Sequence, residues 1–281
     1  MSYKTVLVHV DRSRSAMERY RIAAAIATQQ EAHLIGAAVT GISRFVYQSS
    51  SVNSFDASLT SHVYAQIDIL RARANEALDD FDKVAAASSG SQERRLIEDE
   101  AGAGLSMMAR YSDLAIIGQT DREDPANGMP DVPQYIIMNS GRPVLIVPHS
   151  GKFEKVGSRA MVAWDASVAA TRAVANAIPL LKRADMVDVV VLNAEHEGDA
   201  HGEQPGADIA LYLTRHGIKV NVSRQKTKID IGNALLSMAA DFASDLIVMG
   251  CYGHSPFREA LVGGVSRTIL QSMTVPVLMA H

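Results

Sequence analysis

The sequence predicts an α/β protein built as two tandem, doubly wound parallel sheets of about five strands each, with helices on both faces. Three observations carry that prediction. Short apolar runs alternate with helical stretches of roughly 10 to 16 residues, the signature of right-handed βαβ units around a parallel sheet. The pattern occurs twice: KTVLVHVD (Lys4–Asp11) returns as RAMVAWD (Arg159–Asp165), and DLAIIG (Asp113–Gly118) returns as DLIVMG (Asp245–Gly250). Aromatic residues are only 5% of the 281, which favours helices packed closely on sheets over an aromatic-rich β-sandwich.

Each element follows in order. Lys4–Asp11 is a buried first strand, and Ser15 with Glu18 forms an S-x-x-E capping-box pattern at the head of the next helix. The offset between copies falls from 154 residues at the first strand to 132 at the DLAIIG strand, so the first copy carries 22 extra residues, between Gly41 and Ala74. That insertion holds a Ser/Asn-rich loop and opens a helical pattern from Leu59 to Ala87. Arg142–Val147 (RPVLIV) closes the first copy and recurs at the end as Val275–Met279 (VPVLM), two strands suited to pairing across an interface. Turn formers and charge at Pro148 to Gly157 set the boundary, giving domains 1–150 and 151–281.

In the second copy, Val174, Ala177, Ile178 and Leu181 keep i, i+3, i+4, i+7 spacing on a helix. Met186–Asn193 and Lys219–Arg224 read as strands. Gly217 ends the helix that begins near Pro205, and Leu235, Met238, Ala239 and Phe242 stripe another.

Composition narrows function. With 27 Lys+Arg against 31 Asp+Glu the net charge is −4, so no basic field grips a phosphate backbone and general nucleic-acid binding is excluded. One cysteine, Cys251, rules out an intrachain disulfide framework and fits a reducing compartment. No run reaches the ~20 apolar residues of a membrane span, and the N-terminus lacks a signal-peptide core. The expectation is a cytoplasmic protein. His9, His33 and His62 lack metal-ligand spacing, and His254, Ser255 and Asp245 supply the residue types of a hydrolytic triad without spacing that joins them.

Ligands of open α/β sheets bind outside the carboxyl ends of the strands. After Asp245–Gly250 the chain runs Met249-Gly250-Cys251-Tyr252-Gly253-His254 and on to Gly263-Gly264-Val265-Ser266, spaced G-x2-G-x9-G-G-x-S. Such glycines let backbone N–H groups approach a phosphate, and Gly263-Gly264 opens a helix whose positive end favours an anion.

With the Asp that ends the first strand and the closing Pro276-Val277-Leu278, this pattern resembles the universal stress protein family in its two-domain form, over essentially the full length. The resemblance implies Rossmann-like sheets of the HUP type. It implies ATP with a divalent metal, Mg²⁺, in the C-terminal domain: Asp165 beside adenine and ribose, Trp164 and Ala194 lining the adenine pocket, and Met249, Gly250, Gly253, His254, Gly263, Gly264, Val265 and Ser266 around the phosphates.

Two departures qualify that picture. Gly264 stands where ATP-binding members have Ser or Thr, and one lost hydrogen bond to a charged group is worth about 1.5–3 kcal/mol. In the first copy the corresponding loop positions are Asp121 and Asp131, among Pro125, Pro130 and Pro133, which repel a triphosphate and remove backbone donors. The N-terminal domain then reads as a degenerate partner in an intramolecular pseudo-dimer that also permits a homodimer. The leading function is regulatory nucleotide binding that signals to a protein partner. Slow ATP hydrolysis at the same site and a nucleotide-free scaffold, with another ligand in the first domain, are the alternatives; no Walker A motif is present.

Overall fold

The computed structural model describes residues 2–43, 57–87, 90–121, 123–124, 132–194, 204–252 and 264–281, with backbone alone at 57–61 and 63. Two compact units divide between Ser140 and Gly141, with Ser2 grouped with the second.

The first unit runs β1 (Thr5–Val10), α1 (Ala16–Gln30), β2 (His33–Val39), α2 (Ala57–Ala85), β3 (Gln92–Ile97), α3 (Ala101–Ala109), β4 (Leu114–Gly118) and α4 (Val132–Ser140). Its strand order is β3-β2-β1-β4, all parallel. The central strands are buried on both faces, which is why they read as apolar runs: Val6, Val8, Leu114 and Ile116 are fully inaccessible. Burial of each such side chain contributes ~1.5–3 kcal/mol. The edge strand β3, sequence QERRLI, is mostly exposed.

Helix α2 docks where β2 gives it room. A Cβ on Gly36 would lie 2.4 Å from the Phe81 ring, so only glycine lets that fully buried ring sit on the sheet. Phe81 then meets Tyr20 of α1 edge to face at 5.9 Å. The predicted capping box does not form. Ser15 makes no side-chain cap bond, and Glu18 turns to Arg21, which donates to it through Nε and Nη2.

The second unit runs β5 (Val144–Val147), β6 (Arg159–Ala163), α5 (Val168–Leu181), β7 (Met186–Leu192), α6 (Ala207–Arg215), β8 (Val220–Gln225), α7 (Ile231–Asp241), β9 (Leu246–Gly250), α8 (Gly264–Ser272) and β10 (Val277–Ala280). The order is β5-β10-β9-β6-β7-β8. All pairs are parallel except β5 with β10, where Val277 faces Ile146 and Met279 faces Val144. The two PVL-type strands therefore do pair, inside this unit. Gly217, at φ +79°, takes the left-handed position that ends α6, as the sequence predicts.

The repeated Asp that opens DLAIIG and DLIVMG has a shared task. Asp113 Oδ2 accepts from the backbone N–H of Lys4 and Thr5 at 2.7 and 3.0 Å. Asp245 likewise accepts from Gly157, Ser158 and Arg159. Each pins the start of the neighbouring strand. Asp245 thus lies at the amino end of β9, bound to backbone, while His254 and Ser255 lie outside the described residues. No helix among the described residues is long and apolar enough to cross a membrane.

Candidate functional site

In both units the sheet grows in opposite directions from one central strand, β2 on one side of β1 and β4 on the other, β7 and β9 on the two sides of β6. The carboxyl ends of those strands are the switch points where open sheets bind ligands.

In the second unit this edge gathers residues that lie far apart in sequence. Ala163 pairs with Met249 on β9 and with Val190 on β7, and the Trp164 N–H donates to Val190 O. Trp164 and Asp165 leave β6, Ala194 follows β7, and Met249 and Gly250 end β9, so five of the predicted residues meet at one edge. Trp164 and Ala194 are half-buried, and Met249 is buried. Asp165 is exposed: its Oδ1 accepts from the Ser167 N–H at 3.0 Å, while Oδ2 has no donor among the described residues. Ser167 caps α5, accepting from Ala170 N. Between them Ala166 is held at φ +57°, a strained conformation for a residue with a Cβ.

Gly250 has a packing reason of its own. A Cβ there would lie 2.3 Å from Ala170 N and 2.6 Å from the Ala169 carbonyl carbon, so the end of β9 touches the backbone of α5. Cys251 is buried, and its thiol donates to the Ala280 carbonyl at 3.3 Å, a structural role. Gly253, His254 and Gly263 lie outside the described residues. Gly264, Val265 and Ser266 form the first turn of α8, all half-buried.

That turn brings in a residue the sequence reading passed over. Asp230 caps α7 through Oδ1, accepting from Asn233 N at 2.9 Å, and its Oδ2 lies 3.2 Å from the position of a Cβ on Gly264. Gly232 sits as closely against Thr268, so the starts of α7 and α8 abut. The D-x-x-N cap pattern was readable; its position beside Gly264 depends on the topology. Among the described residues no group of three or more metal-ligating side chains occurs.

The corresponding edge of the first unit is wired differently. Arg19, 1% exposed, sets Nη2 2.7 Å from Asp11 Oδ1 in a contact ion pair whose N–H is not in line, and donates through Nε to His9 O. Asp11 Oδ1 also accepts from Ser13 N and Oγ, and Oδ2 lies 3.4 Å from His9 Nδ1. Arg19, His9 and the Ser13 bonds outweigh desolvation and hold this carboxyl far below the ordinary range. Burial pushes His9 down to about 4. Arg19 fits only because Gly118 has no Cβ, which would stand 2.4 Å from its Nη1. Asp121 accepts from the Glu123 N–H, and Asp131 lies outside the described residues.

A cavity of about 350 Å³ opens at this edge between Asp11, Gly41, Gly118 and one face of α2. The insertion therefore does wall the first unit's crevice, through Gly41, Leu70, Arg73 and Ala74.

The fold and these edges define a tandem doubly wound α/β protein with a crevice at the strand switch point of its first unit. Residues 158–281 match the universal stress protein family, and the whole chain shares its fold with a solved structure of that name. A universal stress protein from Archaeoglobus fulgidus is 16% identical, with a TM-score of 0.72 over 98% of this chain and 95% of that one. A putative universal stress protein from Pseudomonas aeruginosa is 13% identical, at 0.60 over 99% and 93%. A universal stress protein solved in complex with cAMP is 25% identical over 53% of this chain and all of that one, at 0.35. No curated protein matches the chain.

Proposed function

We propose that the C-terminal half binds ATP with Mg²⁺ and that the N-terminal half is a degenerate partner domain, making the chain a cytoplasmic regulatory protein rather than an efficient enzyme. The observation that carries this reading is the contrast between two equivalent carboxylates. Asp165 is exposed with one oxygen open, whereas Asp11 is bound up by Arg19, His9 and Ser13. A ribose hydroxyl needs an acceptor, and Asp165 is the one on offer.

Trp164 and Ala194 would flank the adenine, and Gly250, Gly253, Gly263 and Gly264 would let backbone N–H groups reach the phosphates, with Met249, His254, Val265 and Ser266 completing the surround. Helix α8 supplies the positive end of its dipole. The metal would come as the nucleotide's own counter-ion, since Mg²⁺ usually pairs one or two carboxylates with substrate phosphates. Asp230 is a carboxylate close to the start of α8, its Oδ2 3.2 Å from the position of a Cβ on Gly264. Regulation then requires only that ATP bind one state of the protein more tightly than another.

Asp165→Asn and Gly253→Asp test the assignment by ATP titration of the folded full chain. Loss of at least roughly tenfold in affinity in each, with unchanged melting temperature of the free protein, is the expected result. Unchanged affinity in both variants contradicts it.

A further inference from the structure

We propose that the cavity of the first unit is a second ligand site, of different chemistry, that takes a compact monoanionic carboxylate with an apolar body. Its principal wall is one face of α2, where Leu70, Arg73, Ala74 and Ala77 stand at i, i+3, i+4 and i+7. Among the described residues the second unit has no such wall, since its α6 spans 9 residues where α2 spans 29. Ile117 adds apolar surface from the end of β4. At about 350 Å³ the space lies within the ordinary range of small-molecule pockets, mostly apolar with a few polar groups.

Charge bookkeeping selects the ligand. Three arginines stand at or beside the cavity. Arg19 is neutralised by Asp11 and Arg12 by Glu76, while Arg73, exposed along the wall, has no carboxylate within 4 Å among the described residues. One uncompensated guanidinium suits one negative charge, and its planar fork suits a carboxylate. A triphosphate does not match. It would bring several charges toward one uncompensated guanidinium among the described residues and past Asp121, while Asp11 already holds Arg19 and Ser13 on Oδ1 and has His9 Nδ1 3.4 Å from Oδ2. His9 reaches the cavity neutral, so it adds a polar contact without a second positive charge.

The test uses benzoate as probe, with benzamide as its uncharged isostere, titrated calorimetrically into the full chain with and without saturating ATP and Mg²⁺. Benzoate is expected to bind once per chain, at least roughly tenfold more tightly than benzamide, and ATP is expected not to displace it. Arg73→Met, an exposed change that leaves the core untouched, should bring benzoate down to the affinity of benzamide. Ala77→Phe should fill the cavity and abolish binding of both. Absence of benzoate binding at 10 mM (about 2.7 kcal/mol), equal binding of benzamide, an unaltered Arg73→Met variant, or displacement by ATP overturns the proposal. Because ATP is assigned to the other unit, a failure of ATP to bind at all leaves this test intact.

Discussion

Arg19 and Asp11 form a buried ion pair at 2.7 Å at the carboxyl end of β1, and the second copy has Ala173 and an exposed Asp165 at the matching positions. One arginine on the first turns of α1 thus ties down a carboxylate whose counterpart in the second copy stays exposed. The conversion depends on Gly118, whose missing Cβ is the space the guanidinium fills.

Removing one partner of such a pair leaves an uncompensated charge, which costs far more than the pair contributes. Arg19→Met is expected to lower the free energy of unfolding by about 3–5 kcal/mol. The double variant with Asp11→Asn should recover most of that loss. Urea denaturation of the wild type, both single variants and the double variant gives the coupling, and simple additivity would show that the contact is energetically idle.

His9 sets a pH dependence. Its folded value of about 4 lies below the 6.5 of an unfolded chain, so the unfolded state binds the proton first. Stability from this group is full above about 6.5 and is lost as pH falls toward 4, on the order of 3 kcal/mol in all. Asp11, depressed in the folded state, adds its loss below the unfolded carboxylate value of 3.8. His9→Gln should flatten the denaturation midpoint between pH 6.5 and 4 and leave the steeper loss below that range. An unchanged slope would show that His9 is solvated.

Gly250→Ala tests the reason for that glycine. The added carbon would meet the α5 backbone at 2.3 Å, which cannot move aside as a side chain can. Destabilisation of about 1–3 kcal/mol is expected from chemical denaturation. A loss below about 0.5 kcal/mol, the scale of an ordinary surface change, would free Gly250 from its packing role.

Much of this was legible in the sequence, and the exceptions have physical causes. The strands β1, β4, β6 and β9 are buried on both faces, so their apolar runs announce them. The edge strand β3 reads QERRLI, and only its pairing with β2 makes it a strand. The Ser15-Glu18 pattern matched a capping box, but Arg21 competes for Glu18 three residues on. For the site, strand-end positions such as Asp165 and Gly250 followed from motif and topology. Asp230 and Arg19 did not, because each acts through a close approach to a glycine from another part of the chain.

Asp230 also yields a prediction about the metal. If its open oxygen serves Mg²⁺ beside Gly264, Asp230→Ala should weaken ATP roughly tenfold in the presence of Mg²⁺ and leave affinity in EDTA unchanged. Equal weakening in both conditions would assign Asp230 to the capping of α7 alone.

The central claim is that one half of the chain binds nucleotide and the other does not. Calorimetric titration of the nucleotide-stripped protein with ATP and Mg²⁺ measures this as a stoichiometry. One site per chain, lost in Asp165→Asn and retained in Asp11→Asn, is the expected result. Two sites per chain, or none together with a melting temperature that millimolar ATP leaves unchanged, contradicts it.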